Sequence, residues 1–218
     1  MNQPTPSRCR LVLIMPDDES AGMDAALAAA LSGGDVASVI LPQYARDDVA
    51  FQRAAERRVP VVQAAGAAAM VAGDTRVAAR TGADGIHFEG SKADLADLIE
   101  RHASRMMVGT GGAKTRDDAL ELGEERPDYI FFGRFGYDTQ PEPHNRNLSL
   151  GRWWAEMIEV PCIVMGGSAI DSVRAVAETG AEFVALSAAV FAAEDPAAAV
   201  REANQLLDAH APRFTESA

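Results

Sequence analysis

The chain has 218 residues, 48% of them apolar and 24% charged, with 20 Lys and Arg against 32 Asp and Glu and a net charge of −12. That length can bury a full core, and an ordinary charged share argues against wholesale disorder. The acidic balance speaks against nucleic acid or an anionic membrane surface as partner, because phosphate would be repelled at long range. It leaves room for a small anionic ligand held by local donors. Cys9 and Cys162 sit in apolar stretches and read as core thiols of a reducing cytoplasm, with no Cys-x-x-Cys spacing for zinc. The first residues lack a basic start and apolar run, and no stretch approaches the roughly 18 apolar residues of a membrane span. These features predict a soluble, cytoplasmic chain.

Short apolar runs alternate with Ala-rich helical patterns. The first half reads as strand Leu11–Met15, helix Ala21–Leu31, strand Val36–Leu41, helix Asp47–Arg57 continuing to Gln63, strand Ala68–Ala72, helix Arg76–Thr81, strand Gly85–Phe88 and helix Ala93–Arg101. The second half continues as strand Met106–Gly109, helix Arg116–Leu122, strand Tyr129–Phe132, helix Arg152–Ile158, strand Cys162–Met165, helix Ser172–Thr179, strand Phe183–Leu186 and helix Ala197–His210. Continuous apolar strands suit a parallel sheet buried on both faces. Pro60 is expected to interrupt the second helix and restart it at a first-turn position. Eight such units predict a (β/α)8 TIM barrel forming a single domain over 1–218, with a doubly wound open sheet as the rival. An internal echo favours the barrel: residues 76–88 and 174–186 each run helix, Thr-Gly-Ala turn, strand, and fall on the fourth and eighth units.

In a barrel, chemistry sits where strands end. Gly166 and Gly167 close the seventh strand, and Ser187 and Ala188 follow the eighth and lead into a short helix. Backbone N–H groups there could approach an oxyanion without Cβ obstruction, so these four are the predicted phosphate-binding residues. The bland alternative is a pair of glycines serving a tight turn.

Several motifs together resemble the thiamine phosphate synthase/TenI superfamily: Gly-Ala-Asp-Gly-Ile-His (82–87), Asp-Tyr-Ile-Phe-Phe-Gly (128–133), Val-Pro-Cys-Ile-Val-Met-Gly-Gly (160–167) and the 180–196 segment. The resemblance runs from the first strand onward and is densest in the C-terminal half. It implies a small barrel in thiamine biosynthesis that binds a thiazole phosphate. The synthases join that ligand to a pyrimidine diphosphate and release Mg²⁺-bound pyrophosphate.

Carried over residue by residue, the resemblance is uneven. Where the family has Gln-x-Arg-x-Lys ending the second strand, this chain has Ile40-Leu41-Pro42-Gln43-Tyr44, so proline and tyrosine replace both cations. The Asn-Asp pair after the third strand becomes Gly73-Asp74, leaving Asp74 as the candidate Mg²⁺ ligand. A second metal carboxylate falls near Lys92, whose ammonium is expected to take the metal's place and pair with Asp74. The family's serine after the fifth strand is Gly111, and its Pro-Thr-x-Thr-Lys after the sixth is replaced by 134–140. The histidine of the TenI-like thiazole isomerases corresponds to Ala113 or Lys114.

His87, Lys92, Gly111, Lys114 and Arg134 are thus the expected substrate-pocket residues, each with an ordinary alternative: a packed histidine, exposed loop lysines, a surface ion pair. Residues 142–147 read as a mobile loop over the mouth or a plain connection. Of Trp153 and Trp154, one should pack inward and the other against a loop or partner. Three readings stand: a synthase-like transferase with altered diphosphate groups, a TenI-like isomerase, and a non-catalytic binder of a phosphorylated metabolite. Association of identical copies is left open.

Overall fold

The computed structural model describes residues 6–18 and 20–214; the N-terminal residues 1–5, whose composition was read above, lie outside them. Eight parallel strands close into a barrel in sequence order: β1 (Arg10–Ile14), β2 (Ser38–Pro42), β3 (Ala68–Ala72), β4 (Gly85–Phe88), β5 (Met107–Thr110), β6 (Tyr129–Phe132), β7 (Cys162–Met165) and β8 (Phe183–Leu186). The last strand pairs back onto the first, with Leu186 opposite Leu13. The strands that echo one another, β4 and β8, therefore lie across the ring. Both Thr-Gly-Ala turns use a glycine at positive φ, Gly82 at 66° and Gly180 at 86°, a conformation that a Cβ would strain.

Period-2 geometry explains why the strands read as unbroken apolar runs. Val12, Ile14, Ile40, Met70, Tyr129, Phe131, Ile163, Met165 and Ala185 fill the barrel interior. Their neighbours face outward, where Leu11, Leu13, Val39, Ile86, Phe132 and Val184 join the larger core beneath the helices.

The helices are α1 (Ala21–Ser32), α2 (Asp48–Ala64), α3 (Thr75–Thr81), α4 (Lys92–His102), α5 (Arg116–Gly123), α6 (Asn145–Met157), α7 (Ser172–Ala177), α8 (Ala188–Phe191) and α9 (Pro196–His210). Side-chain caps set many of their starts: Asp47 on α2, Ser91 on α4, and a reciprocal capping box of Thr115 and Asp118 on α5.

Two expectations are corrected. Pro60 does not split α2, which runs through it. Pro60 sits on the exposed face, where water can satisfy the carbonyl it leaves unpaired. Helix α6 starts seven residues earlier than Arg152, because His144 Nδ1 accepts from Arg146 N at 3.1 Å and caps it. Residues 145–147, half of the 142–147 segment, are thus helix start rather than loop. Gly151 hid this helix in the sequence, yet it is needed there: a Cβ would strike the Val164 side chain of β7. The paired tryptophans divide, one inward as expected, the other against a helix rather than a loop or partner. Trp154 is fully buried and donates its Nε1–H to the Val160 carbonyl at 2.7 Å, while Trp153 lies under Arg116 of α5 at 4.9 Å. Both cysteines are buried free thiols, and burial pushes Cys9 up to about 12. Among the described residues, no helix is long and apolar enough to cross a membrane.

Candidate functional site

Among the described residues, several cavities open at the C-terminal ends of the strands, one of them lined by Asp138, Ser187 and Ala188. The first, about 350 Å³, lies between the ends of β2 and β4 and is lined by Pro42, Tyr44, Ala72, Gly73, His87, Phe88, Glu89 and Phe135. His87 reaches it from the barrel interior and is 3% exposed. Its Nδ1 lies 2.9 Å from the Tyr129 hydroxyl, and its ring packs against Phe135 with centroids 5.0 Å apart. Burial, helped by the Asp128 charge, pushes the Tyr129 phenol well above its ordinary range, so it stays protonated. Among the described residues, His87 Nε2 is buried without a hydrogen-bond partner; Glu89 Oε1 lies 3.7 Å away. Gly111 leaves room for that pair, since a Cβ there would come within 3.1 Å of both atoms.

The end of β2 is a hydrogen-bonded corner. Tyr44 adopts φ 50° and donates its hydroxyl to the Met15 carbonyl at 2.9 Å. Burial, with the nearby Asp138 and Asp17 charges, pushes its phenol up to about 12. Gln43 accepts from Asp74 N at 3.1 Å and donates to Asp48.

The second cavity, about 640 Å³, lies beneath residues 133–147 and takes in Arg134, Asp138, His144, Arg146 and Gly166. Here the segment joining β6 to α6 lies down on the ends of β7 and β8. Ser168 N donates to the Gln140 carbonyl at 2.8 Å and Ala169 N to that of Pro141 at 3.2 Å. Gly167 N donates to Ser172 Oγ at 3.0 Å. A Cβ on Gly167 would strike the Pro141 carbonyl, so this glycine is required by a close backbone approach. Ala188 N donates to Asp138 Oδ2 at 2.5 Å. Gly166, Gly167, Ser187 and Ala188 are thus brought together, but their donors are engaged within the chain: Asp138 holds the Ala188 N–H, Gly166 N donates to the Ala185 carbonyl and Gly167 N to Ser172 Oγ. Asp138 is only 8% exposed.

The remaining predicted residues scatter. Asp74 caps α3 through Arg76 N, and its carboxylate is gripped by the Arg76 guanidinium at 2.5 Å. That guanidinium, first, and the backbone bond hold Asp74 below the ordinary carboxylate range. Lys92 opens α4 and pairs with Glu124 and Glu125 beside α5. The expected Lys92–Asp74 pair does not form, because each has a nearer partner on its own side of the barrel. Lys114 is exposed, and its backbone N donates to Asp118 at 3.0 Å. Arg134 is exposed with its guanidinium 3.9 Å over the Tyr137 ring.

The thiamine monophosphate synthase family model matches residues 11–190. The chain belongs to that family. A role in thiamine biosynthesis follows from this membership. The thiamine-phosphate synthase of Rhodospirillum centenum is 34% identical over 202 residues, covering 91% of this chain and 98% of that protein. The one from Erythrobacter litoralis is 32% identical over 208 residues, covering 90% and 95%. A solved thiamine phosphate pyrophosphorylase of Pyrococcus furiosus shares the fold with a TM-score of 0.77 at 20% identity, covering 93% of this chain and 97% of that one.

In this thiamine monophosphate synthase family member, sequence reasoning passed over two carboxylates that the fold places at the mouth and one phenol, Tyr129, that reaches His87 from the barrel interior. Glu89 stands two residues after His87, on the same face of the strand end, and that spacing was the available signal. Tyr129 was read only as part of a motif. Asp138 lies in a segment noted for what it lacks, and nothing local marks a carboxylate that will reach 50 residues along the chain to Ala188.

Proposed function

We propose that this family member binds a thiazole monophosphate through Gly166, Gly167, Ser187 and Ala188, and that it joins this ligand to a pyrimidine diphosphate only slowly. What supports the second half is the state of the groups that a magnesium diphosphate would need. The residues present do not fit Mg²⁺: the one matching carboxylate, Asp74, is already bound by Arg76 through side chain and backbone. Among the described residues, no group of three or more His, Cys, Asp and Glu could hold a metal ion. The end of β2 offers Pro42 and Tyr44, and the Tyr44 hydroxyl is spent on the Met15 carbonyl.

A departing pyrophosphate gathers negative charge, and only groups aimed at that charge lower the barrier. One preorganised donor contributes ~2.7–4 kcal/mol at well-studied oxyanion sites, so two missing cations account for roughly 10⁴-fold or more in rate. For the first half, support comes from the paired strand ends, where a phosphate would exchange with the Asp138 carboxylate on the Ala188 N–H. The test pairs calorimetry against thiazole phosphate with a steady-state assay containing pyrimidine diphosphate and Mg²⁺. Binding with little turnover is expected; turnover at an ordinary synthase rate would refute the second half, and absence of thiazole phosphate binding the first.

A further inference from the structure

The segment that lies over the proposed phosphate site is held down by few contacts. Phe135 anchors its near end, with ring centroids 5.0 Å from His87 and 5.2 Å from Phe131. At its far end His144 is fixed as the cap of α6. Between these anchors, within residues 136–142, Asp138 is the one buried residue and the other six are exposed. A segment that buries so little apolar surface opens locally at low free energy.

What keeps it closed is polar. Asp138 Oδ2 accepts from Ala188 N, and the Gln140 and Pro141 carbonyls accept from Ser168 N and Ala169 N at 2.8 and 3.2 Å. One stretch of chain thus sets three acceptor oxygens, one of them charged, on three backbone donors after β7 and β8. A phosphate ester would present its own oxygens to backbone N–H groups in the same way. The overlap is direct at two residues: Asp138 takes the Ala188 N–H, and the Pro141 oxygen fills the space that a Cβ on Gly167 would need. Ligand and segment cannot both be there.

The hinge is also visible. Gly136 follows the Phe135 anchor directly and adopts φ 74°, in the left-handed region. A Cβ there would meet only the Tyr44 ring, at 3.8 Å, an ordinary contact. Space therefore does not demand glycine at 136; the closed path of the backbone does.

We propose that residues 136–142 form an autoinhibitory strap: Asp138 and the Pro141 carbonyl stand in for the ligand at Ala188 and Gly167, and a phosphate ester binds only after the strap lifts about Gly136. The inference rests on the phosphate reading above and adds its regulation. Apparent affinity is the intrinsic affinity reduced by the share of chains whose strap is lifted.

The test is Gly136→Ala in the intact chain, a change that removes no side-chain donor or acceptor. Alanine strains the left-handed backbone of the closed strap, and lifting relieves it. With the closed form dominant, thiazole phosphate should bind roughly five- to thirtyfold tighter by calorimetry. Hydrogen exchange of the free protein reads the strap without any ligand. The Ser168, Ala169 and Ala188 amides should exchange faster in the variant by one common factor, with the Val164 amide of β7 unchanged. Equal or weaker binding by Gly136→Ala, with native binding intact, would overturn the strap and leave the phosphate reading standing. Exchange at native rates, or faster at one of the three amides alone, would also overturn it. Binding by neither protein despite faster exchange would overturn the phosphate reading, and the inhibitory role with it.

Discussion

Asp138→Asn separates the stability of the mouth from its affinity for anions. In the native chain a buried carboxylate accepts from Ala188 N at 2.5 Å. A charge-assisted bond of this kind contributes about 1.5–3 kcal/mol and is roughly twice as strong as its neutral counterpart. An asparagine oxygen can keep the contact without the charge, so the unfolding free energy should fall by about 1–1.5 kcal/mol. The same change weakens the group that an incoming phosphate must displace and removes a like charge beside it. Phosphate-ester affinity should then rise about five- to tenfold, using about 1.4 kcal/mol per decade. Stability and affinity move in opposite directions, which a merely damaged loop would not produce. Urea unfolding and calorimetry with thiazole phosphate on both proteins give the two numbers. Equal or weaker phosphate binding by Asp138→Asn would refute the exchange of carboxylate for phosphate at Ala188.

Gly167→Val should abolish thiazole phosphate binding and lower the melting temperature together, because its Cβ meets the Pro141 backbone and the 140–141 segment must lift; retained binding by calorimetry would show the phosphate to be elsewhere. Lys92→Asp should neither create a Mg²⁺ site nor raise synthase turnover, since Lys92 faces Glu124 and Glu125; magnesium calorimetry and the steady-state assay check this, and a gain in either contradicts it. The stability difference between the native chain and Asp74→Asn should be full at neutral pH and shrink in acid. Arg76 holds the folded-state pKa of Asp74 below its unfolded value, so the stabilisation is complete above about pH 4 and is lost as pH falls through the lowered folded value. Chemical unfolding from pH 3 to 7 measures it, and a difference that grows in acid would reverse the sign.

The barrel was legible because buried parallel strands leave a strong local trace. Ala68–Ala72, Gly85–Phe88, Tyr129–Phe132, Cys162–Met165 and Phe183–Leu186 occupy the residues their apolar runs indicate. The start of α6 was not legible: Asn145, Asn147, Ser149 and Gly151 have weak helix preference, and the packing of Gly151 on Val164 is a tertiary fact. At the mouth, the glycines and the strand ends were readable as positions, but their occupancy was not. Whether Asp74 meets a metal or Arg76, and whether Ala188 N–H is open or held by Asp138, depends on partners chosen in three dimensions. Lys92 shows the same limit: one helical turn decides between the mouth and the outer flank beside α5.

Tyr129 packs in the barrel interior while its hydroxyl fixes the ring of His87 at the mouth. Changes confined to the loops would therefore inherit the histidine's ring position and its hydroxyl partner unaltered. A Tyr129→Phe drift, nearly silent in volume, would remove the hydroxyl that meets His87 Nδ1 without replacing any residue that lines the cavity. Divergence of ligand preference in barrels of this kind can begin in the packed interior, and a comparison of relatives restricted to loop residues would miss where it started.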